Sequence, residues 1–165
     1  MPRFVVDTML GRLAHWLRAM GYDTVYPGPA DDSRLLDVAR REARILVTRD
    51  AGLAASASDL GCLIRSVEVQ LQLIETVTRL QLTPPESAWL TRCLECNGLL
   101  APVDREAVRD RVPPRVFGIH DDFRVCQGCG RVYWPGSHAG QMITRLQHVL
   151  NGAIEATSPA SRPER

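Results

Sequence analysis

The sequence contains no lysine and no surplus of charge of either sign. All twenty basic residues are arginines, against nineteen acidic residues, which leaves a formal net charge of +1. A net charge so close to zero excludes a strong overall attraction to nucleic acid. A GC-rich coding bias explains the arginines more simply than selection for function does. In either case, a phosphate contact from a permanently charged side chain of this protein comes from a planar guanidinium, which can bind in a bidentate manner.

Long apolar runs are also missing. No stretch of the sequence approaches the length of a membrane span, and the N-terminal residues 1–4 lack the charged and apolar regions of a signal peptide. We therefore expect a cytoplasmic protein with no membrane partner. The 165 residues are enough for one good core and a small annex.

Four of the five cysteines form two Cys-x-x-Cys pairs, Cys93 with Cys96 and Cys126 with Cys129. Four thiolates at this spacing are the ligand set of a tetrahedral structural zinc site. A thioredoxin-like redox pair and two disulfides are the alternatives. Neither pair opens a helix after a strand, as a redox pair would, and nothing marks the chain as secreted. The spacing therefore predicts bound Zn²⁺.

The segment between the two cysteine pairs is longer than in compact zinc fingers. Val103, Val116–Phe117 and Phe123–Val125 have the apolar character of short strands, so we predict a zinc ribbon. The fifth cysteine, Cys62, lies in a strand-like run, where we expect it to be part of the core.

The first half of the chain alternates between strand-like and helix-like segments. The predicted strands are residues 4–7, 23–26, 44–48 and 60–64, and the predicted helices are residues 9–20, 33–42, 51–58 and 67–80. Such alternation predicts an α/β fold with a parallel sheet covered on both faces. We expect a first domain over residues 1–87, a zinc ribbon with a closing helix over 88–150, and a disordered tail over 151–165.

Aspartates follow the predicted strands. Asp7 and Asp50 stand at the ends of the first and third strands, and Asp31 and Asp32 come after the second. Ligands of a parallel sheet bind beyond the carboxyl ends of its strands, so the topology brings these carboxylates to one edge. Hard oxygen ligands suit Mg²⁺ or Mn²⁺, which can activate water and neutralise charge on a phosphodiester.

Structural roles for the same residues are the alternative. Asp31 and Asp32 have the position of ordinary helix caps. Asp7 ends an apolar strand and needs a partner, and Arg49 alone would supply one. In the other interpretation, Arg12 and Arg49 lie near the acidic edge and clamp the phosphates of a substrate. The residues alone leave a metal-dependent nuclease site and a set of caps and ion pairs both open.

Several motifs occur together in the order that one known family shows. They are Asp7 to Ala14, Trp16-Leu17-Arg18, Gly21 to Thr24, Asp31-Asp32, Leu46 to Asp50, the two cysteine pairs, and Tyr133-Trp134-Pro135-Gly136-Ser137-His138. On these motifs the sequence resembles the Mut-seven C-terminal RNase-domain family, in which a PIN-like nuclease domain precedes a zinc ribbon. The resemblance covers roughly residues 3–150 and implies metal-dependent ribonuclease activity at an acidic site of the PIN type.

The resemblance also implies roles for individual residues. Asp7 and Asp50 match the acids that bind a catalytic Mg²⁺ or Mn²⁺ ion, and Asp31 or Asp32 would act through the ion or its water. The partner is expected to be RNA, and a protein partner or a homo-oligomer is also compatible with the sequence. We expect RNA contacts from Arg12, Arg18, Arg49, Trp134 and His138. The aromatic side chains before His138 would stack on unpaired bases or cover the zinc site.

One feature departs from the family pattern. Many PIN domains place a further acid after the fourth strand, but Arg65 and Ser66 stand there, and Asp59 precedes that strand. This departure leaves open a single-metal enzyme or a non-catalytic module that binds RNA or a protein. A toxin-like PIN nuclease with a cognate partner is the third alternative, and the ribbon argues against it because small toxins do without one.

Overall fold

The structure is a computed structural model that describes residues 1–157, with side chains described up to residue 153. Four strands in the first half are β1 Phe4–Val6, β2 Thr24–Val25, β3 Ile45–Thr48 and β4 Gly61–Leu63. They form a parallel sheet in the order β2-β1-β3-β4. Helices flank the sheet on both sides, which confirms the predicted fold class.

Four helices cover the two faces of this sheet: α1 Gly11–Ala19, α2 Asp32–Glu42, α3 Ala51–Ser56 and α4 Val69–Leu80. Successive side chains of a strand point to opposite faces. Val5 accordingly packs with α2 and α3, whereas Phe4 and Val6 pack with α1 and α4. Cys62 lies in the second of these cores, as predicted. The sheet is therefore the middle of three layers.

The ribbon is a second, antiparallel sheet in the order β5-β6-β7, made of β5 Leu100–Val103, β6 Phe123–Cys126 and β7 Val132–Tyr133. The prediction of a strand at Val116–Phe117 is wrong, because these residues belong to a helix, α5 Pro114–Ile119. Proline suits the first position of a helix, since its missing N–H would have no partner there. Val108, Val112 and Phe123 form a small core of their own.

The last helix, α6 Ser137–Thr157, returns to the first half of the chain. We predicted that it closes the ribbon, but Met142, Leu146 and Val149 belong to the core that α1 and α4 share. The ribbon is therefore an insertion between α4 and α6 of one larger core. Residues 151–157 continue α6, contrary to the predicted tail, and residues 158–165 lie outside the described residues.

None of the helices described between residues 1 and 157 is both long and apolar enough to cross a membrane.

Candidate functional site

A buried threonine links the two strand-end aspartates. Val6 pairs with Val47 in register, so the residues that follow β1 and β3 lie at the same edge of the sheet. The hydroxyl of Thr48 donates a hydrogen bond to Oδ2 of Asp7 at 2.7 Å and accepts one from the N–H of Asp50 at 3.0 Å. Thr48 is fully buried and Asp7 is 8% exposed. Thr48 lies within the motif Leu46 to Asp50, but no local pattern of the sequence indicates this linking role.

Each of these two carboxylates has one oxygen left over. Asp50 caps α3, where its Oδ1 accepts the N–H of Leu53 at 2.8 Å. Within the described residues, Oδ1 of Asp7 and Oδ2 of Asp50 accept no hydrogen bond. Two hard oxygen atoms at one edge are therefore available to a cation.

The arginines predicted at this edge are free of ion pairs. Asp7 has Thr48 as its partner, and in the part of the chain that the structure describes it makes no ion pair with Arg49. Nε of Arg49 is buried and has no hydrogen-bond partner among the described residues. Arg12 is exposed in the first turn of α1. The sheet edge thus carries two cations that are not neutralised by the acids beside them.

The other two predicted acids open α2. Asp31 is the N-cap residue: its Oδ1 accepts the N–H of Arg34 and the hydroxyl of Ser33, both at 2.8 Å. The backbone N–H of Arg34 and the Ser33 hydroxyl together lower the pKa of the Asp31 carboxyl. Asp32 is exposed in the first turn, and its carboxylate has no partner within residues 1–153. Asp31 thus caps α2 through Oδ1, as Asp50 caps α3, and in the described residues its Oδ2 accepts no hydrogen bond, whereas Asp32 has both oxygens unpaired.

The aspartates share an edge without forming a compact cluster. Within residues 1–153, the four cysteines are the one group of three or more potential ligands whose donor atoms all lie within 4.8 Å of one another. Asp7, Asp50 and Asp31 or Asp32 therefore do not form a preassembled site of three ligands in this structure.

A carboxylate from α4 holds the loop that follows β4. Glu75 accepts the N–H groups of Arg65 at 3.0 Å and Ser66 at 2.9 Å, and the guanidinium of Arg79 at 3.0 Å. Burial opposes ionisation, but these hydrogen bonds hold the pKa of Glu75 below its usual value. Its oxygens are used to hold the loop after β4. No local signal in the sequence points to Glu75, because it lies on α4 and not in the loop that it holds.

The four cysteines fulfil the predicted metal-binding arrangement. Sγ of Cys93 lies 3.6 Å from Sγ of Cys129, and Sγ of Cys96 lies 3.3 Å from Sγ of Cys126. A Cβ on Gly98 would stand 2.8 Å from Sγ of Cys126, so the close approach of the two knuckles requires glycine there. The group can hold a zinc ion with four thiolates.

The surroundings act on the sulfurs in opposite directions. The N–H of Gly98 lowers the pKa of Cys96, but burial and the neighbouring thiols raise it to about 12, whereas the thiolate form of Cys126 is favoured. The N–H groups of Cys129 and Gly128 point at Sγ of Cys126 from 3.4 and 3.3 Å. Although burial opposes it, these bonds and the neighbouring Cys96 thiol lower the pKa of Cys126 to about 6. The hydroxyl of Tyr133 lies 3.0 Å from Sγ of Cys93, so Tyr133 covers the cysteine group. Donor type and hydrogen bonding both fit zinc.

Arg18 joins the first cysteine knuckle to the sheet domain. Its Nε donates to the carbonyl of Thr24 at 2.9 Å, and its Nη1 donates to the carbonyls of Leu94 at 2.6 Å and Glu95 at 2.8 Å. The prediction that Arg18 contacts RNA is therefore wrong, because its guanidinium is buried and occupied by backbone carbonyls.

Asn97 strengthens the same junction. Its amide donates to Oδ1 of Asp23 at 2.7 Å, and its own Oδ1 accepts the N–H of Thr24, on the edge strand β2, at 3.0 Å. Arg44 pairs with the same Asp23 oxygen at 2.8 Å. The network joins distant parts of the chain, and its one local signal in the sequence is an asparagine placed directly after a knuckle.

The last two predicted RNA contacts border cavities beside the ribbon. A cavity of about 560 Å³ lies between the ribbon and α6, and one of about 150 Å³ lies between α1 and α6. Trp134 is half-buried in the wall of the larger cavity. His138 is exposed and borders both.

These features define a parallel α/β domain with an acidic edge and an inserted four-cysteine ribbon. The sequence matches the Mut7-C RNAse domain family over residues 2–146, and the chain belongs to this family. The human exonuclease mut-7 homolog is 39% identical to it over 41 residues, which are 25% of this chain and 5% of that protein. The chain thus covers a small part of that relative's length. No solved structure matches the chain. Membership of the family indicates a nuclease-like role and binding of nucleic acid.

Proposed function

We propose that the chain is a metal-dependent ribonuclease that hydrolyses RNA phosphodiesters at the edge formed by Asp7 and Asp50. The observation that carries this proposal is the link through Thr48, whose hydroxyl bonds the carboxylate of Asp7 and the backbone N–H of Asp50. The Leu53 N–H holds the Asp50 carboxylate, and one oxygen of each carboxylate stays available. Membership of an RNAse-domain family supports the choice of reaction.

The residues at this edge fit a PIN-type site for one Mg²⁺ or Mn²⁺ ion. Mg²⁺ is usually held by one or two carboxylates together with substrate phosphates, and it keeps several of its waters. Asp7 and Asp50 would hold the ion, and Asp32 would bind one of its waters because its carboxylate has no other partner among the described residues. When bound, the ion supplies activation of water and neutralisation of phosphate charge.

The remaining residues of the edge position the RNA and the acids. Thr48 holds Asp7 in place, and the first turn of α3 holds Asp50. Arg49 and Arg12 are free of ion pairs in the described part of the chain, so they would bind the phosphates beside the scissile bond. Hydrolysis forms a new P–O bond to water and breaks one ester P–O bond, and the leaving oxygen takes up a proton.

We also assign a structural zinc ion to the four-cysteine group. Four thiolates close the coordination sphere of the ion and leave no open position for catalysis. The ribbon would then contribute stability or RNA contact. A protein partner, a homo-oligomer and a cytoplasmic location stay predictions from the sequence.

RNA cleavage in the presence of Mn²⁺ or Mg²⁺ tests the proposal, with the wild type compared with Asp7→Asn and Asp50→Asn. Asparagine keeps the size of aspartate, accepts a hydrogen bond from Thr48 and caps a helix equally well, so both variants should stay folded. We expect each to lower the cleavage rate by at least about 100-fold. Asp37→Asn is the matched control, because Asp37 pairs with Arg41 on the exposed face of α2.

Other outcomes have distinct meanings. Equal cleavage by all variants would identify a contaminating nuclease. Tight RNA binding without cleavage by the wild type would identify a non-catalytic binding module, and the aspartates would then serve as caps and hydrogen-bond partners alone.

A further inference from the structure

All three tryptophans of the chain line the two neighbouring cavities beside the ribbon. Trp89 and Trp134 border the larger cavity, and Trp16 borders the smaller one. Leu94 and His138 belong to the walls of both, so the cavities are adjacent, and together they are called the tryptophan groove below. Its larger part, about 560 Å³, has the volume of a ligand site.

Positive charge is concentrated in the walls of this groove. The whole chain has 20 basic and 19 acidic residues. The charged residues of the groove are instead four arginines and a single acid: Arg12, Arg92, Arg124, Arg145 and Asp122. Arg92 is used internally, since it donates to the carbonyls of Gly21 and Asn97. Arg12 and Arg145 are exposed, and in the described part of the chain neither makes an ion pair, so both are available to an anionic ligand.

Arg12 belongs both to the groove and to the acidic edge. A single turn, Thr8–Leu10, joins Asp7 to α1, and Arg12 lies in the first turn of that helix. His15 and Trp16 follow on α1 and reach the smaller cavity. A polymer bound at the acidic edge can therefore continue along α1 into the groove.

We propose that the tryptophan groove binds a single-stranded RNA segment, with unpaired bases among the tryptophans and phosphates on Arg12 and Arg145. The choice of RNA rests on the proposed function. Aromatic side chains bind any unpaired base by stacking, and arginines beside them follow the backbone. The bases of a duplex are already stacked on one another, so a double helix can bind the groove only through its phosphates.

This proposal gives the ribbon a second role. Leu94 lies inside the first knuckle and Tyr133 covers the cysteine group, and both are part of the groove wall. The zinc-bound ribbon thus shapes one side of the groove, and α1 and α6 shape the other.

The test measures binding apart from cleavage. The zinc-loaded Asp7→Asn variant, without added Mg²⁺ or Mn²⁺, is titrated with a single-stranded RNA oligonucleotide, a blunt RNA duplex and inorganic polyphosphate. Because every tryptophan lines the groove, intrinsic fluorescence reports directly on base stacking there. We expect the single strand to quench the fluorescence and to bind about tenfold more tightly than the duplex or polyphosphate, neither of which should quench it.

Variants in this background locate the binding. Trp134→Leu should weaken binding of the single strand on the order of tenfold. Arg145→Ala should weaken it and lower the slope of log K against log salt by about 0.7, as expected for one lost phosphate contact. Arg131→Ala is the matched control, because Arg131 is exposed on the ribbon outside the groove, and it should bind like its parent. If Trp134→Leu fails to fold, Arg145→Ala tests the proposal alone, because Arg145 is exposed and its replacement should not affect folding.

Three results would overturn the proposal. The first is equal binding of single strand, duplex and polyphosphate without quenching. The second is tryptophan fluorescence that changes with protein concentration alone, which would place a second copy of the chain in the groove. The third combines cleavage by the wild type that depends on Asp7 with unchanged RNA binding by Trp134→Leu and Arg145→Ala. In that case the proposed function would stand, but the groove would not bind the RNA. If the groove binds single-stranded RNA and the wild type does not cleave it, the proposal of RNA binding in the groove is supported and the proposed ribonuclease activity is refuted.

Discussion

The hydroxyl of Thr48 donates its hydrogen bond across two neighbouring strands to the carboxylate of Asp7, over 2.7 Å. The same oxygen accepts the N–H of Asp50. A neutral residue therefore sets the relative position of the two acids that we assign to the metal. The arrangement depends on one hydroxyl that both donates and accepts, which makes it open to a test by a single change.

Replacing Thr48 by valine keeps the shape of the side chain but removes both hydrogen bonds. We expect the unfolding free energy to fall by about 1–3 kcal/mol, because buried groups of Asp7 and Asp50 lose their partner. The Mg²⁺ or Mn²⁺ concentration needed for half-maximal cleavage should rise, since Asp7 is no longer held in place. Thr48→Ser should restore both properties. A valine variant with wild-type metal dependence would show that Thr48 does not position Asp7.

Replacing Glu75 by glutamine should give a pH-dependent loss of stability. The pKa of Glu75 is held below its usual 4.5, so its contribution is present above that pH and is lost as the pH falls through the lowered value. We expect the variant to be less stable than the wild type by about 1–3 kcal/mol at pH 7, with the gap closing as the pH falls below the usual 4.5 and through the lowered pKa. Urea unfolding of both proteins from pH 7 to pH 3 measures the gap. A gap that stays constant with pH would contradict the prediction.

Asn97→Gly should weaken the junction between the ribbon and the sheet without straining the backbone. Asn97 has a φ of 70°, a conformation that glycine adopts freely, so the change removes only the bonds to Asp23 and Thr24. We expect a loss of about 1–3 kcal/mol in unfolding free energy. Gln81→Gly is the control, because Gln81 is exposed, has a φ of 50° and ends α4, where glycine is favourable. Equal stability of the two variants would show that the Asn97 side chain contributes nothing.

Zinc should stabilise the whole chain rather than the ribbon alone. Elemental analysis should find about one zinc per chain. Its removal by a chelator, or by Cys126→Ser, should lower the unfolding temperature of the sheet as well, because Arg18 holds two carbonyls of the first knuckle. Cys62→Ala is the control, and this variant should still bind zinc because Cys62 is buried outside the four-cysteine group. Two separate transitions on heating would show that ribbon and sheet are energetically independent.

The sequence predicts the first half of the fold well because its signals are local. Apolar runs alternate with amphipathic segments there, and all four strands and four helices lie where these patterns place them. The cysteine pairs are equally local signals, and their sulfurs meet as predicted. Pro114 was the overlooked local signal, since it marks the start of α5 in a segment interpreted as a strand.

What the sequence did not predict depends on contacts between distant parts of the chain. Arg18 lies on α1 at a position where a surface cation is expected. It is buried because the first cysteine knuckle, far along the chain, packs against it and accepts its hydrogen bonds. The apolar face of α6 predicts a helix but does not say which core it joins. The strand-end acids were placed at the right edge by topology. The sequence pattern does not show side-chain rotamers. These rotamers determine the separation of the acids, the capping role of Asp31 and the link through Thr48.

The return of α6 to the first core has a consequence for how the chain comes to be folded during synthesis. Every strand of the parallel sheet leaves the ribosome before α6, yet Met142, Leu146 and Val149 complete the core on which that sheet rests. One apolar face of the nascent sheet domain therefore stays exposed until the ribbon and then α6 have been synthesised. An interrupted translation product would lack its last layer and would be prone to aggregation and proteolysis, so this topology disfavours a stable fragment that contains the parallel sheet without the ribbon and α6.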